Sequence, residues 1–176
     1  MNNFNIAYAW TFVSEDPENL HAIVPDNCPK GCLGPCYAIS GINSGAHPEA
    51  FKAIAALPQS QRDPLVRAFY AREYWSHWFE AIENVEVSKR TMDFDVNSGT
   101  GEGVRVLQTC VGSTPDGIIG PNTVAAVNQA DQTKLVSDYK DARAAFLLGL
   151  AASRPSLAPL IGTLAQPGPL LVRAMR

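Results

Sequence analysis

Between Leu107 and Val124 the chain reads Leu-Gln-Thr-Cys-Val-Gly-Ser-Thr-Pro-Asp-Gly-Ile-Ile-Gly-Pro-Asn-Thr-Val, and this order of turn residues leaves little freedom in what the segment can become. Pro115 presets one backbone angle and Gly117 accepts a positive φ, so Pro115-Asp116-Gly117 predicts a tight turn. Gly120-Pro121 then places a proline at the first position of a new helix, where its missing N–H costs nothing. With helical patterns on both sides, the segment reads as a helix–turn–helix clamp. Asp116 and Thr123 are expected to hold its turn by side-chain to backbone hydrogen bonds.

The rest of the chain reads as helices around this clamp. Asn2 or Asn3 caps a first helix with Phe4, Ala7, Tyr8 and Trp10 close to one face, ending near Glu15 because Pro17 pushes Asp16 out of helical geometry. Residues 17 to 48 show no periodicity and are rich in Pro, Gly and Cys, which predicts a long functional or stapled loop. A short helix follows over 50 to 57. Asp63-Pro64 opens a longer one, in which Leu65, Ala68, Phe69, Trp75, Phe79 and Ile82 share an arc while Tyr74 and His77 point elsewhere. A further helix over 86 to 97 carries Met92 and Val96 inward and stops at Gly99; Thr100 caps the next, of Val104, Leu107 and Val111, which Gly112 ends. Asp131 caps a long helix through Leu135, Tyr139, Phe146 and Leu150, closed by Arg154-Pro155. The β-like candidates lie around Tyr37 to Ile42. The class is mainly α.

A chain of 176 residues can bury one good core but not two ordinary ones. Its 14 basic and 17 acidic residues, a formal net charge of −3, give no electrostatic basis for binding nucleic acid. The partner should be neutral or recognised by shape, and polysaccharide fits. No stretch is apolar enough to span a bilayer. The N-terminus lacks a basic region before its apolar residues, so no signal peptide is expected. The apolar stretch from Leu157 to Met175, cut by Pro159, Pro167 and Pro169, reads as a packed tail. A monomer without cofactor is expected.

Cys28, Cys32 and Cys36 lie four apart, and Cys110 sits on the helix before the clamp. Two disulfides in an oxidising compartment are the natural reading, with three connectivities open. Zinc is the alternative, since thiolates are good zinc ligands, but the usual Cys-x-x-Cys spacing is missing, and disulfides or buried thiols are favoured over metal.

The clamp, written LQ…G…DG..GP.T, resembles the repeat of peptidoglycan-binding modules. Upstream, Ala68 to Trp75 with its Tyr-Trp end and Asp93 to Gly99 with its Val-Asn-Ser-Gly end precede the clamp in an order similar to that of glycoside hydrolase family 108, the phage and secretion-associated muramidases. That resemblance implies a lysozyme-like helical fold with a catalytic part over 1–85 and a peptidoglycan-binding-like part over 86–176, packed as one unit. It also implies bacterial peptidoglycan as partner, synthesis in the cytoplasm, action in the periplasm or on the cell wall, and export by a holin or secretion machinery.

Cutting a glycosidic bond needs a carboxylic acid that stays protonated near neutral pH and commonly a second carboxylate. Glu15 lies at a helix C-terminus, beside Asp16 and after Trp10, Phe12 and Val13; helix dipole, like charge and exclusion of water would all push its pKa upward. The family carries its catalytic glutamate in Glu-Gly-Gly-Tyr near the N-terminus, so the resemblance assigns Glu15 that role, although Asp16-Pro17 stands where glycines are found. Asp26 in Pro25-Asp26-Asn27 is the nearest match to the family's second acid. Gly41-Ile42 is a matching cleft wall, Tyr74 a sugar contact, and Asn97 part of the cleft floor. Asp93 and Asn97 also have plainer readings, as a pin to a neighbouring helix and a cap of backbone carbonyls.

Overall fold

A computed structural model of the chain describes residues 2–16, 18–32 and 34–154. The tail from Leu157 to Met175 lies outside them. The first helix, α1 (Asn3–Glu15), is capped by the Asn2 side chain, which accepts from the Asn5 N–H. A second acceptor reaches it from far along the chain: Glu80 takes the N–H groups of Asn3 and Phe4, each at 3.0 Å, placing a carboxylate at the positive end of the helix dipole. Phe4, Ala7, Tyr8 and Phe12 are buried as the helical spacing requires. Trp10 departs from that face; it is half-buried, with the Lys89 ammonium 4.0 Å from its ring centre. The helix stops at Asp16, whose φ of −152° precedes Pro17.

The expected long loop is instead built around a small antiparallel sheet, β1 (Ile23–Asp26), β2 (Cys36–Ile39) and β3 (Ile42–Asn43), in that order. Ile23 pairs with Ile39 and Asp26 with Cys36 on one side of β2, and Ile39 pairs with Ile42 on the other. Only the stretch from Tyr37 to Ile42 carried a β signal. β1 was hidden by Pro25, which an edge strand tolerates and a central one does not. The β2–β3 turn is Ser40-Gly41, both at positive φ (49° and 78°), as the twist of a two-residue hairpin demands.

The following helices are α2 (Pro48–Ala55), α3 (Asp63–Tyr74), α4 (Val85–Ser98), α5 (Glu102–Cys110), α6 (Pro121–Gln129) and α7 (Gln132–Ser153), with 3-10 turns at Gln59–Gln61 and His77–Ala81. The helical arc drawn from Leu65 to Ile82 does not survive. At Trp75 the backbone is extended (φ −117°, ψ 119°), and the Ser76 hydroxyl caps the 3-10 turn beyond. Freed from Phe79 and Ile82, α3 buries Val66, Phe69, Tyr70 and Tyr74 while Leu65 and Ala68 face solvent. α4 is buried almost all round, from Val87 to Asn97 with Arg90 half-exposed, the signature of a central helix. It ends at Gly99 (φ 104°), and Gly101 (φ 90°), rather than Thr100, caps α5. Asp131 caps α7 as expected, accepting from the Lys134 N–H at 2.9 Å.

Two apolar clusters flank α4. One joins α1, β2, β3, α2 and α3 around Tyr70, Met92 and Val96; the other joins α5, α6 and α7 around Phe94, Leu107 and Tyr139. Trp75 packs against both. Within the second, Asp93 is fully buried and pairs with Arg143 of α7 at 2.6 Å, so the aspartate does pin a neighbouring helix. The chain is mainly α and forms a single compact unit. No described helix is long and apolar enough to cross a membrane.

The expectation of two disulfides is corrected. Cys28 and Cys36 are bonded across the β1–β2 connection, whereas Cys32 and Cys110 are free. Cys110 lies on α5, against the cluster around Tyr139, and has no partner thiol.

Candidate functional site

Glu15 closes α1, and the β2–β3 turn is folded directly against it. A Cβ built on Gly41 would collide with the Glu15 carboxylate and lie 2.9 Å from the Tyr70 hydroxyl, so only glycine lets the hairpin approach this closely. Glu15 is half-buried. Of the apolar residues expected around it, Phe12 is buried but Val13 is 60% exposed, and Trp10 is engaged with Lys89.

Asp16 is what fastens the hairpin. Its carboxylate accepts from the backbone N–H of Leu20 (3.1 Å) and His21 (2.7 Å) and from the Ser40 hydroxyl (2.7 Å). Because Ser40 spends its proton on Asp16, the 2.8 Å contact between His21 Nδ1 and Ser40 Oγ requires the imidazole to donate. Tyr70 completes the anchor by donating to the Ser40 carbonyl at 2.8 Å. His21, Ser40 and Asn19 all sit at positive φ, strain that these bonds offset. A cavity of about 270 Å³ opens beside Asp16, between Tyr8 and Phe12 of α1 and Asp63 and Arg67 of α3.

Asp26 occupies the last position of β1, and its two oxygens accept from the Asn27 N–H (2.8 Å) and the Asn43 side-chain amide (2.9 Å). Asn43 is fully buried and also accepts from Gly45 and Ala46. Two residues of β3 therefore connect the neighbour of Glu15, Gly41, to the partner of Asp26, about 7 Å along extended backbone. Ile42, expected on a cleft wall, is wholly buried beside Ile39 and is a core residue.

A second groove of about 240 Å³ runs between the end of α3 and the clamp, lined among others by Glu73, Tyr74, Trp75, Asp95, Gly101 and Gly117. Tyr74 corrects the helical wheel: it is 8% exposed and packs against Phe69 and Tyr70, yet it borders this groove. Asn97 does not line it. Its amide donates to the Asp93 carbonyl at 2.7 Å inside the protein, which is the capping role.

Asp95 lines the groove instead. It is 2% exposed and accepts from the N–H groups of Gly101 (3.1 Å) and Gly103 (2.7 Å). Burial pushes its carboxyl up to about 7 against these donors. A raised folded pKa means that the folded state holds a proton the unfolded chain has lost between about pH 4 and pH 7. Stability from this group is thus complete below pH 4 and declines as pH rises through 7. Asp95→Asn is expected to flatten that stretch of the stability profile, read as denaturant midpoints from pH 4 to 8. The glycines at 99, 101 and 103 were a signal for it, since turn N–H groups in a buried corner need an acceptor.

The clamp forms as read, but its organiser is Gln108 rather than the turn's own side chains. Buried to 1% exposure, Gln108 donates to Asp116 (2.7 Å), the Ile118 carbonyl (3.1 Å) and Thr123 (3.2 Å), and accepts from the Gly117 N–H (2.9 Å). Asp116 adds a bond from the Ile118 N–H at 2.8 Å. Gln108→Ala is expected to cost about 2–4 kcal/mol in chemical denaturation, a cavity plus several unsatisfied buried groups.

Residues 102–163, spanning the clamp and α5 to α7, match the family model described as a predicted peptidoglycan domain. The clamp half is peptidoglycan-domain-like. Over 92% of the chain the fold is similar to the solved structure of Brucella abortus SagA, with 91% of that chain covered, 25% identity and a TM-score of 0.63. No curated protein matches the sequence. Together these findings support a peptidoglycan-associated protein.

Proposed function

We propose that the chain is an N-acetylmuramidase that cuts the glycan strand of peptidoglycan, with Glu15 as general acid and Asp26 as the second carboxylate. The observation that carries this reading is the Glu15 carboxyl held half-buried at the end of α1 against a glycine-turned hairpin. Such a carboxyl is partly shielded from water yet not sealed in the core, the setting in which an acid can keep its proton and deliver it to a leaving oxygen. Membership of glycoside hydrolase family 108 belongs to the same proposal. So do monomeric action without a cofactor and delivery through a holin or secretion machinery. The test is incubation of the full chain with purified sacculi, followed by measurement of soluble muropeptides with new reducing ends.

Gly41→Ala probes the geometry. The added methyl meets the Glu15 carboxyl, and the φ of 78° strains any residue but glycine. The variant should lose about 1–3 kcal/mol of stability and most of its muropeptide release. Full activity in a folded Gly41→Ala protein would show that the hairpin does not place the acid.

A second reading, a wall-binding protein without hydrolysis, is favoured by one observation: the family match falls on the clamp half alone. Co-sedimentation with sacculi without loss of turbidity would establish it.

A further inference from the structure

The connection between β1 and β2 brings three sulfurs together. The ligand atoms of Cys28, Cys32 and Cys36 lie within 4.8 Å of one another, and Cys32 Sγ is 3.4 Å from Cys36 Sγ. A disulfide accounts for two of them and leaves the third without a covalent role. The loop is nevertheless shaped around all three. Gly31 and Gly34 turn the chain at positive φ (91° and 103°), with open space where their side chains would be, so glycine is there for backbone conformation and not for packing. The Cys32 N–H donates to the Pro29 carbonyl at 3.0 Å and closes the first turn. From the other side, a Cβ on Gly45 would stand 2.9 Å from Cys32 Sγ and 3.0 Å from Cys36 Sγ. Residue 45 has to be small because two sulfurs and the Pro29 ring, whose Cδ would be 2.9 Å away, occupy its space, and one of the sulfurs is the thiol that the disulfide does not use.

We propose that the reduced loop is a binding site for one thiophilic divalent cation, zinc(II), held by Cys28, Cys32 and Cys36. A zinc–sulfur bond of about 2.3 Å sets tetrahedral sulfurs about 3.8 Å apart, so once the disulfide is open the three sulfurs, within 4.8 Å of one another, need only small side-chain rotations. A dithiol reductant first supplies two electrons and two protons to open the Cys28–Cys36 bond and is itself oxidised to a disulfide; zinc binding then converts the three thiols to thiolates and releases three protons. Among the described residues the cluster offers three side-chain ligands, and Cys28 is exposed, so the fourth position faces solvent and takes water or an outside donor. The metal would tie the two ends of the β1–β2 connection together two residues beyond Asp26. Cys110 takes no part.

The test uses the full chain, reduced and kept free of oxygen, titrated with cobalt(II) as a spectroscopic stand-in. Thiolate-to-cobalt charge-transfer absorption should rise to one equivalent and be discharged by zinc(II), with direct metal analysis returning one zinc per chain. Cys32→Ser should lose stoichiometric binding, and Cys110→Ser should keep it. Cys32 is half-buried in a loop, so its serine variant tests the site even if Cys36→Ser, altering a buried strand residue, does not fold. Absence of cobalt absorption in the reduced protein would overturn the proposal. So would unchanged binding in Cys32→Ser, or a Cys28–Cys36 bond that thiol reductants leave intact.

Discussion

Replacing Glu15 by glutamine should lower the release of reducing muropeptides from sacculi by about 10²–10⁴-fold, the contribution of a positioned general acid. Glutamine keeps the shape and leaves an acceptor oxygen beside Gly41, so the hairpin and the unfolding midpoint should barely move. That combination separates chemistry from folding: the carboxyl sits in a contact that any bulky change would break, but loss of the proton alone touches only catalysis. The control is Asp16→Asn. It removes the charge beside Glu15 and keeps only one of the two oxygens that accept from Leu20, His21 and Ser40, so it should lower the unfolding midpoint yet reduce activity less than Glu15→Gln. Equal muropeptide release by Glu15→Gln and the parent protein would take Glu15 out of the mechanism. Sacculi sedimented by both proteins but cleaved by neither would leave the clamp half as the functional part.

The largest stability effect is expected away from the site, at Arg143. Its guanidinium reaches Asp93 at 2.6 Å, and the aspartate has no exposed surface. Burial raises the Asp93 pKa, and Arg143 is the main opposing influence. Arg143→Met should therefore destabilise the protein by about 3–5 kcal/mol, because it leaves a buried acid without its cation. The loss should be larger at high pH. With the cation gone the folded state holds the Asp93 proton still more firmly, so stability present at low pH is lost as pH rises through the raised folded pKa. Replacing both residues by leucine should recover much of the loss, as apolar substitutes of buried pairs often do. Denaturant titrations of the two variants at pH 5 and pH 8 decide it. A loss from Arg143→Met that does not change with pH would mean that Asp93 carries no uncompensated charge.

What the sequence disclosed and what it hid follow a physical division. Helix ends were legible wherever they depend on a residue's own chemistry: Asn2 and Asp131 as caps, Pro121 opening α6, Gly99 and Gly112 as stops. The sheet was mostly hidden because its strands are two to four residues long, too short to show alternation, and because an edge strand can include Pro25. The break at Trp75 was hidden as well. The residues beyond it continue a helical arc on paper, and only their packing against α6 and α1 rotates them away. That one break exchanged the roles of Leu65 and Tyr74.

At the site, the nearness of Glu15 to the hairpin depends on bonds that span more than twenty residues, from Asp16 to Ser40 and from Tyr70 to Ser40. Local pattern carries no record of such pairs. The same holds for Gln108 and Asn43, polar residues with several alternative lives until the buried donors and acceptors around them are known. Asn97 and Ile42 were placed toward a cleft by similarity of motif, and packing turned both inward.

By itself the sequence determined the helical class, the clamp from Leu107 to Val124 and the helix that ends at Glu15, because these rest on dihedral preferences and caps within a few neighbouring residues. Tertiary structure alone decided which carboxylates stay half-open and which are buried, which sulfurs meet, and which tyrosine borders a groove. Burial and electrostatics are set by atoms from distant parts of the chain, and those neighbours exist only once the chain has folded.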